Sequence, residues 1–142
     1  MPLLLSLEAL SALPSTVHRP AYDVGGVAIG IVHLGLGAFH RAHQAVYTDA
    51  VLAGDPRWGI CGVSLKTPRA TATLAAQDGL YSVLTKSREA TSVRVIGSLR
   101  ETLFLGTDRD RLIARIADPA VAIVTLTVTE KGYCHDPATG RL

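Results

Sequence analysis

The chain has 142 residues, of which 48% are hydrophobic and 18% are charged, and its formal net charge is +2. This length and composition are typical of one globular domain with a buried core, and they exclude a disordered chain. The small net charge, with lysines and arginines scattered along the sequence, argues against a nucleic-acid-binding protein.

The cysteines and the apolar segments bear on the location of the protein. Cys61 and Cys134 lie far apart and form no CxxC pattern, so we expect reduced thiols. The apolar N-terminus lacks a basic region and contains Glu8, which argues against a signal peptide. No apolar run approaches the ~20 residues that span a bilayer. We therefore expect a cytoplasmic protein without a membrane partner, and the sequence leaves the oligomeric state open.

The predicted elements begin with a helical segment over residues 3–13 and a loop rich in Pro and Gly, and residues 1–26 are interpreted as an N-terminal extension. The apolar run VAIGIVHL (27–34) is typical of a strand buried on both faces. After a Gly-Leu-Gly turn, residues 38–53 predict one helix, in which Asp49 is a polar exception on the apolar stripe. The later predicted elements are strand 58–65, helix 68–79, an antiparallel hairpin of LYSVLTKS and TSVRVIGSL, a helix that starts at Thr107 or Asp108 and stops before Pro119, and strand 121–130.

This order of elements predicts the fold class. Apolar strands that alternate with helices favour an α/β protein with a mostly parallel sheet and helices on both faces, here with an added antiparallel hairpin. A dinucleotide-binding domain of this type has two mononucleotide halves, and residues 27–142 supply little more than one. We therefore expect residues 27–142 to be the N-terminal part of an incomplete, truncated domain of the Rossmann type.

The turn after the first buried strand is a candidate binding site. A pyrophosphate binds where backbone N–H groups point outward at the start of a helix. Gly35 permits the tight turn and Gly37 would let a ligand approach the backbone, but His40 stands where the usual third glycine falls. Arg41 would suit a phosphate, since a guanidinium group donates two hydrogen bonds to it. An ordinary glycine turn without a ligand fits the same residues.

His40 and His43 also raise the question of a metal. They are three residues apart and could share one face of a helix. No carboxylate stands beside them as in HExxH, and no third ligand is evident nearby. The sequence therefore does not favour a metal site, and we assign no metal ligand.

Two further segments follow strands, where open α/β sheets bind ligands. SLKTPRA carries Lys66 and Arg69 and has no acidic residue, which favours or tolerates the 2′-phosphate of NADP; a solvated loop with two cations fits equally. In TLTVTEK, the side chains of Thr127, Thr129 and Glu130 could contact ribose hydroxyls or a substrate, or could satisfy nearby backbone groups.

The chain resembles the N-terminal domain of the mannitol dehydrogenase family, the long-chain polyol dehydrogenases. The resemblance rests, in this order along the chain, on IVHLGLGAFHRAHQAVYTD, WGICGVSL, AAQDGLYSV, RVIGSLRE and IVTLTVTEKGYC. In that family a GxGxFHRxH turn replaces the third glycine, so His40 matches a family feature. The resemblance places Ala38, Phe39, His40 and Arg41 at the start of the helix that faces the pyrophosphate.

The resemblance implies a function. Family members transfer a hydride between a secondary alcohol and a ketone with NAD(H) and without a metal, and the substrate is a sugar acid or a polyol. LTVTEKGYC is most similar to fructuronate reductase, also called mannonate oxidoreductase; mannitol 2-dehydrogenase and a non-catalytic nucleotide-binding fragment are the alternatives. The family's catalytic lysine lies in a KxxxxNxxH pattern in a second domain. Because that pattern is absent here, we assign no catalytic residue and expect the chain alone to be inactive.

Overall fold

The computed structural model describes residues 4–128, 136 and 138–141. Within these residues no helix is long and apolar enough to cross a membrane. The strands, numbered in chain order, are β1 Val17–His18, β2 Ile29–Leu34, β3 Gly59–Ser64, β4 Tyr81–Lys86, β5 Thr91–Ile96, β6 Leu99–Phe104 and β7 Ile123–Leu126. The α-helices are α1 Ala38–Ala42, α2 Gln44–Val51, α3 Arg69–Ala75 and α4 Arg109–Ile116.

Four strands form a parallel sheet in the order β6-β3-β2-β7. Of these four strands, β2 comes first in the chain, and it lies between the second, β3, and the last, β7. This is the order of the first four strands in dinucleotide-binding α/β sheets. The prediction of a mostly parallel α/β fold of the Rossmann type is confirmed.

Helices cover both faces of this sheet, because successive side chains of a strand point to opposite faces. On one face Ile31 and Ile60 pack with Ala45 of α2 and Leu74 of α3. The core on the other face includes Leu112 of α4. The side chains from β2, β3 and β6 in that second core are Val32, Cys61, Val63 and Leu103. Cys61 is a free thiol there, and burial raises its pKa to about 12.

The predicted hairpin forms a second sheet, in the order β1-β5-β4, with β4 and β5 antiparallel. Residues of the N-terminal segment pack on it: Leu5, Leu10 and Val17 contact the small core that contains Leu80 and Val95. Within this segment the expected helix over residues 3–13 is a 3-10 helix, Glu8–Ala12. The chosen boundary between an extension and a domain at residue 26 stays a prediction.

Other predicted elements also differ from the structure. The single helix over 38–53 is two helices, because His43 has φ −126° and ψ −90°, which breaks the helical backbone. The arm TSVRVIGSL ends at Ile96, and a separate strand, β6, begins at Leu99. β6 was not expected because LRETLF has only a partly apolar pattern. That pattern suits an edge strand in which only Leu99 and Leu103 are buried.

Asp49, the polar exception on the helix, joins α2 to the second sheet. Its carboxylate is almost fully buried and accepts hydrogen bonds from the hydroxyl of Tyr22, from Arg94 Nη2 at 2.7 Å and from the N–H of Gly97 at 2.8 Å. A buried carboxylate is tolerated only when such donors surround it. This residue therefore fixes the orientation of α2 against the second sheet.

Candidate functional site

The carboxyl ends of β2 and β7 meet at the point where the strand order reverses. His33 of β2 pairs with Thr125 of β7, and Leu34 pairs with Leu126. After β2 the chain turns through Gly35-Leu36-Gly37 into α1. In open α/β sheets, ligands bind in the crevice at such a reversal point. The predicted turn and the first residue after β7, Thr127, therefore lie side by side.

The turn itself is fixed by one carbonyl oxygen of the neighbouring strand. Gly35 and Leu36 both donate their N–H groups to the carbonyl of Val63, each at 2.9 Å. Gly35 has φ +103°, a conformation that favours glycine. Gly37 has φ −104° and ψ −178°, which any residue can adopt, and a Cβ there would meet only Gly35 O at 3.8 Å. Glycine is thus required by the backbone at position 35 but not at position 37.

The predicted residues at the start of α1 take different positions. Phe39 is largely exposed, and its ring stacks on His43 at 5.0 Å between ring centroids. Arg41 is partly exposed, and its carbonyl accepts a hydrogen bond from the hydroxyl of Tyr81 at 2.7 Å. Ala38 is exposed at the first position of the helix. Their roles in cofactor binding stay predictions.

His40 points inward. It is 1% exposed, and its ring stacks on His33 with 3.7 Å between centroids and 9° between planes. Neither ring nitrogen has a hydrogen-bond partner among the described residues. Burial, with a smaller contribution from His33, lowers the pKa of His40 to about 4. His40 is therefore neutral near pH 7, and its side chain lies beneath the turn instead of on the outer surface of the helix.

Sequence reasoning missed the polar cluster below the turn. His33 Nδ1 lies 2.8 Å from Thr125 Oγ1, and its Nε2 lies 3.1 Å from Thr127 Oγ1 and 3.3 Å from Gly35 O. Gln44 of α2 hydrogen-bonds to the hydroxyl of Thr125 at 3.2 Å. The signal in the sequence was His33, a single polar residue within an apolar strand. His33, Gln44 and Thr127 of this cluster line a cavity of about 380 Å³, together with Phe39, His40 and His43.

The loop after β3 contributes a second cavity, of about 580 Å³. Arg41, Thr67 and Arg69 line it together, which brings the start of α1 and the start of α3 to one groove. Ser64 donates its hydroxyl to the carbonyl of Thr67 at 2.6 Å and so fixes this loop. Lys66 is exposed beside the groove and does not line it.

The predicted residues after β7 are placed only in part. The N–H of Thr127 donates to Leu34 O at 3.1 Å, and its Cβ lies near Gly35. Thr129 and Glu130 lie outside the described residues. Among the residues that are described, no three His, Cys, Asp or Glu side chains are grouped so that they could hold a metal ion.

Comparisons with known proteins agree with this geometry. The family model for the mannitol dehydrogenase Rossmann domain matches residues 29–141. The chain is 48% identical over 135 residues to the uncharacterized oxidoreductase YeiQ of Escherichia coli K12 and 46% identical over 131 residues to D-mannonate oxidoreductase of the same organism, covering 92% and 89% of the chain. It spans only 27% of the length of each of these relatives.

A solved structure shows the same fold. The mannitol 2-dehydrogenase of Pseudomonas fluorescens, in a ternary complex with NAD and D-mannitol, superposes with a TM-score of 0.86 at 40% identity. The match covers 99% of this chain and 30% of that one. The resemblance deduced from the motifs is thereby confirmed.

The buried His40 predicts an acid-sensitive stability. Its pKa is about 4 in the folded chain and 6.5 when exposed, so between these pH values only the unfolded chain binds the proton. The free energy of unfolding should therefore fall as the pH drops from about 6.5 to about 4, by at most roughly 3.5 kcal/mol from this residue at about 1.4 kcal/mol per pKa unit. Urea unfolding at pH 7 and pH 4.5 measures the loss, and His40→Phe should reduce it.

The matched control is His18→Phe, which replaces an exposed histidine of β1 and should keep the wild-type pH dependence. His33, whose pKa burial also lowers, accounts for a dependence that remains in the His40→Phe variant. An unchanged difference between the two pH values in His40→Phe would contradict the assignment.

Proposed function

The chain belongs to the mannitol dehydrogenase family, and we propose that it forms the dinucleotide-binding part of an oxidoreductase that interconverts a sugar ketone and a secondary alcohol. The nicotinamide of a bound NAD(H) supplies or accepts the hydride in such a reaction. The residues that would hold the cofactor, at its pyrophosphate, are those of the turn and of α1: Gly35, Gly37, Ala38, Phe39, His40 and Arg41.

Gly37 is the observation that carries this proposal. Its backbone is ordinary, and a side-chain carbon at this position would lie 3.8 Å from its nearest neighbour, so neither the backbone conformation nor the packing requires glycine. A glycine at this point of the turn lets a pyrophosphate approach the backbone N–H groups closely. Arg41, which lines the neighbouring groove, adds a positive charge for the phosphates.

The groove after β3 supports a wider choice of cofactor than NAD alone. In NAD-specific sites an acidic side chain at this position hydrogen-bonds the ribose hydroxyls, and in NADP sites a nearby arginine accommodates the 2′-phosphate. Here Arg69 and Arg41 line the groove, with Lys66 exposed beside it. We propose that NADP is accepted as well as NAD.

For the substrate we propose the pair D-fructuronate and D-mannonate. The support is the motif LTVTEKGYC and the 46% identity to D-mannonate oxidoreductase. The alternative is fructose and mannitol, which the likeness to a mannitol 2-dehydrogenase supports at 40% identity. Thr127 follows β7 at the carboxyl edge of the sheet, next to the glycine turn, and we propose that Thr127, Thr129 and Glu130 contact the cofactor or substrate.

The remaining proposals concern organisation. We propose that residues 1–26 are an extension and that residues 27–142 are the N-terminal part of the dinucleotide-binding domain. Because the sequence has no KxxxxNxxH pattern, we propose that this chain binds the cofactor but does not itself reduce a ketone.

Gly37→Ala separates binding from folding. Because the backbone at residue 37 suits alanine, the free energy of unfolding should change by less than about 0.5 kcal/mol. The new methyl group would stand between the backbone and a pyrophosphate, so the affinity for NADH should fall about tenfold or more, which calorimetric titration measures. Gly54→Ala is the control: its Cβ would likewise meet only Val51 O, at 3.7 Å, at the far end of α2. Equal NADH affinity in both variants would oppose the proposed pyrophosphate site.

Arg69→Ala tests the choice of cofactor. The wild-type protein should bind NADPH at least as tightly as NADH, because two cations line the groove after β3. Removing the Arg69 guanidinium should lower the affinity for NADPH roughly tenfold and the affinity for NADH much less. Arg88→Ala, an exposed arginine in the hairpin turn, should affect neither cofactor. Exclusive binding of NADH by the wild type would remove the role of Arg69 and Lys66 in accepting a 2′-phosphate.

The substrate is tested with the full-length protein that contains this chain. Oxidation of NADH or NADPH, followed by the loss of absorbance, should be faster with fructuronate than with fructose. The reverse order would favour mannitol 2-dehydrogenase activity. Cofactor binding without turnover of any ketose or keto-uronate would leave the nucleotide-binding alternative.

A further inference from the structure

The polar cluster below the turn forms a continuous hydrogen-bonded chain across the two strands. It runs from the amide of Gln44 to the hydroxyl of Thr125, then through the His33 ring to the hydroxyl of Thr127. The contacts measure 3.2, 2.8 and 3.1 Å in that order. This row of hydrogen bonds ends at Thr127, which lines the cavity of about 380 Å³.

The carbonyl of Gly35 fixes the direction of this chain. It lies 3.3 Å from His33 Nε2 and can only accept a hydrogen bond, so Nε2 carries the proton. In the neutral ring Nδ1 is then an acceptor, and it takes the hydroxyl hydrogen of Thr125. The oxygen of Thr125 in turn accepts from the amide nitrogen of Gln44. Every donor along the chain therefore points toward Thr127.

This direction leaves the hydrogen of the Thr127 hydroxyl available to donate. Its oxygen lies 3.1 Å from His33 Nε2 and shares the N–H of that nitrogen with Gly35 O. A hydroxyl that accepts from the histidine has its own hydrogen left to donate. Within residues 4–128 we find no acceptor for that hydrogen, and it is next to the cavity.

The stacked His40 helps to preserve this direction of hydrogen-bond donation through His33. A charged His33 would donate from both nitrogens and would reverse its bond to Thr125. Burial lowers the pKa of both His33 and His40. Because the two ring centroids are 3.7 Å apart, a charge on either ring is also unfavourable for the other. His33 therefore stays neutral and keeps one donor and one acceptor nitrogen.

We propose that His33 is a positioning residue that aims the Thr127 hydroxyl hydrogen at an oxygen atom of the bound dinucleotide. This inference rests on the proposed function, since it names a contact within the cofactor site. The acceptor belongs to the phosphates, to a ribose or to the nicotinamide carboxamide. The shared requirement is an oxygen that accepts one hydrogen bond at the carboxyl end of β7.

A double-mutant cycle in the full-length protein tests the direction of the chain. Thr127→Val removes the hydroxyl at nearly constant shape and should weaken NADH binding roughly five- to tenfold, the effect of one hydrogen bond. His33→Leu should weaken it by a similar factor. The double variant should bind no more weakly than Thr127→Val alone, because His33 acts through Thr127. His33→Gln, which can restore an N–H near Gly35 O, should recover most of the affinity.

The titrations also locate the oxygen and separate this inference from the proposed function. Comparing ADP, ADP-ribose and NADH shows which part of the cofactor first feels the loss of the Thr127 hydroxyl. Thr102→Val is the control, because it removes a hydroxyl of β6, elsewhere in the same sheet, that donates a hydrogen bond to Thr71 O of α3. If the wild-type protein binds NADH and Thr127→Val binds it with the same affinity, the inference is wrong but the proposed function stands. The same holds if the losses of affinity in the two single variants multiply in the double variant. A wild-type protein that binds neither NADH nor NADPH would overturn the proposed function too.

Discussion

The parallel pairing of β2 with both β3 and β7 is the constraint on which the candidate site depends. It brings His33 beside Thr125 although 92 residues separate them in the chain. The same pairing places Val63 of β3 where its carbonyl receives the N–H groups of Gly35 and Leu36. The turn is thus held from one neighbouring strand, and the polar cluster beneath it is completed from the other.

Patterns that a strand or helix carries within itself were predictable from the sequence. VAIGIVHL and WGICGVSL are apolar except for His33 and Ser64 because both faces of β2 and β3 are covered, and such runs predict buried strands. The first turn of α4 was equally readable, since Asp108 precedes it. The edge strand β6 was not, because an edge strand needs few apolar residues and LRETLF offers a weak signal.

Features that depend on distant partners were not predictable. Asp49 interrupts an apolar stripe because Arg94 and the N–H of Gly97 lie opposite it, 45 and 48 residues along the chain. His33 interrupts an apolar strand for the same kind of reason, with Thr125 as its partner. In each case the sequence shows one polar residue where an apolar one is expected but does not show which residue satisfies it. Only the packing of the elements supplies the partner.

The carboxyl edge of the sheet holds features that packing alone leaves without a reason. At the opposite edge, a Cβ on Gly30 would lie 2.3 Å from Arg57 O and one on Gly59 would lie 2.5 Å from Ala28 O, so packing itself demands those glycines. Gly37 has no such conflict, and a buried His40 without hydrogen-bond partners among the described residues costs roughly 1–3 kcal/mol. Proteins tolerate such local costs mainly where function requires them. Both residues lie at the reversal point of the strand order, where open α/β sheets bind their ligands.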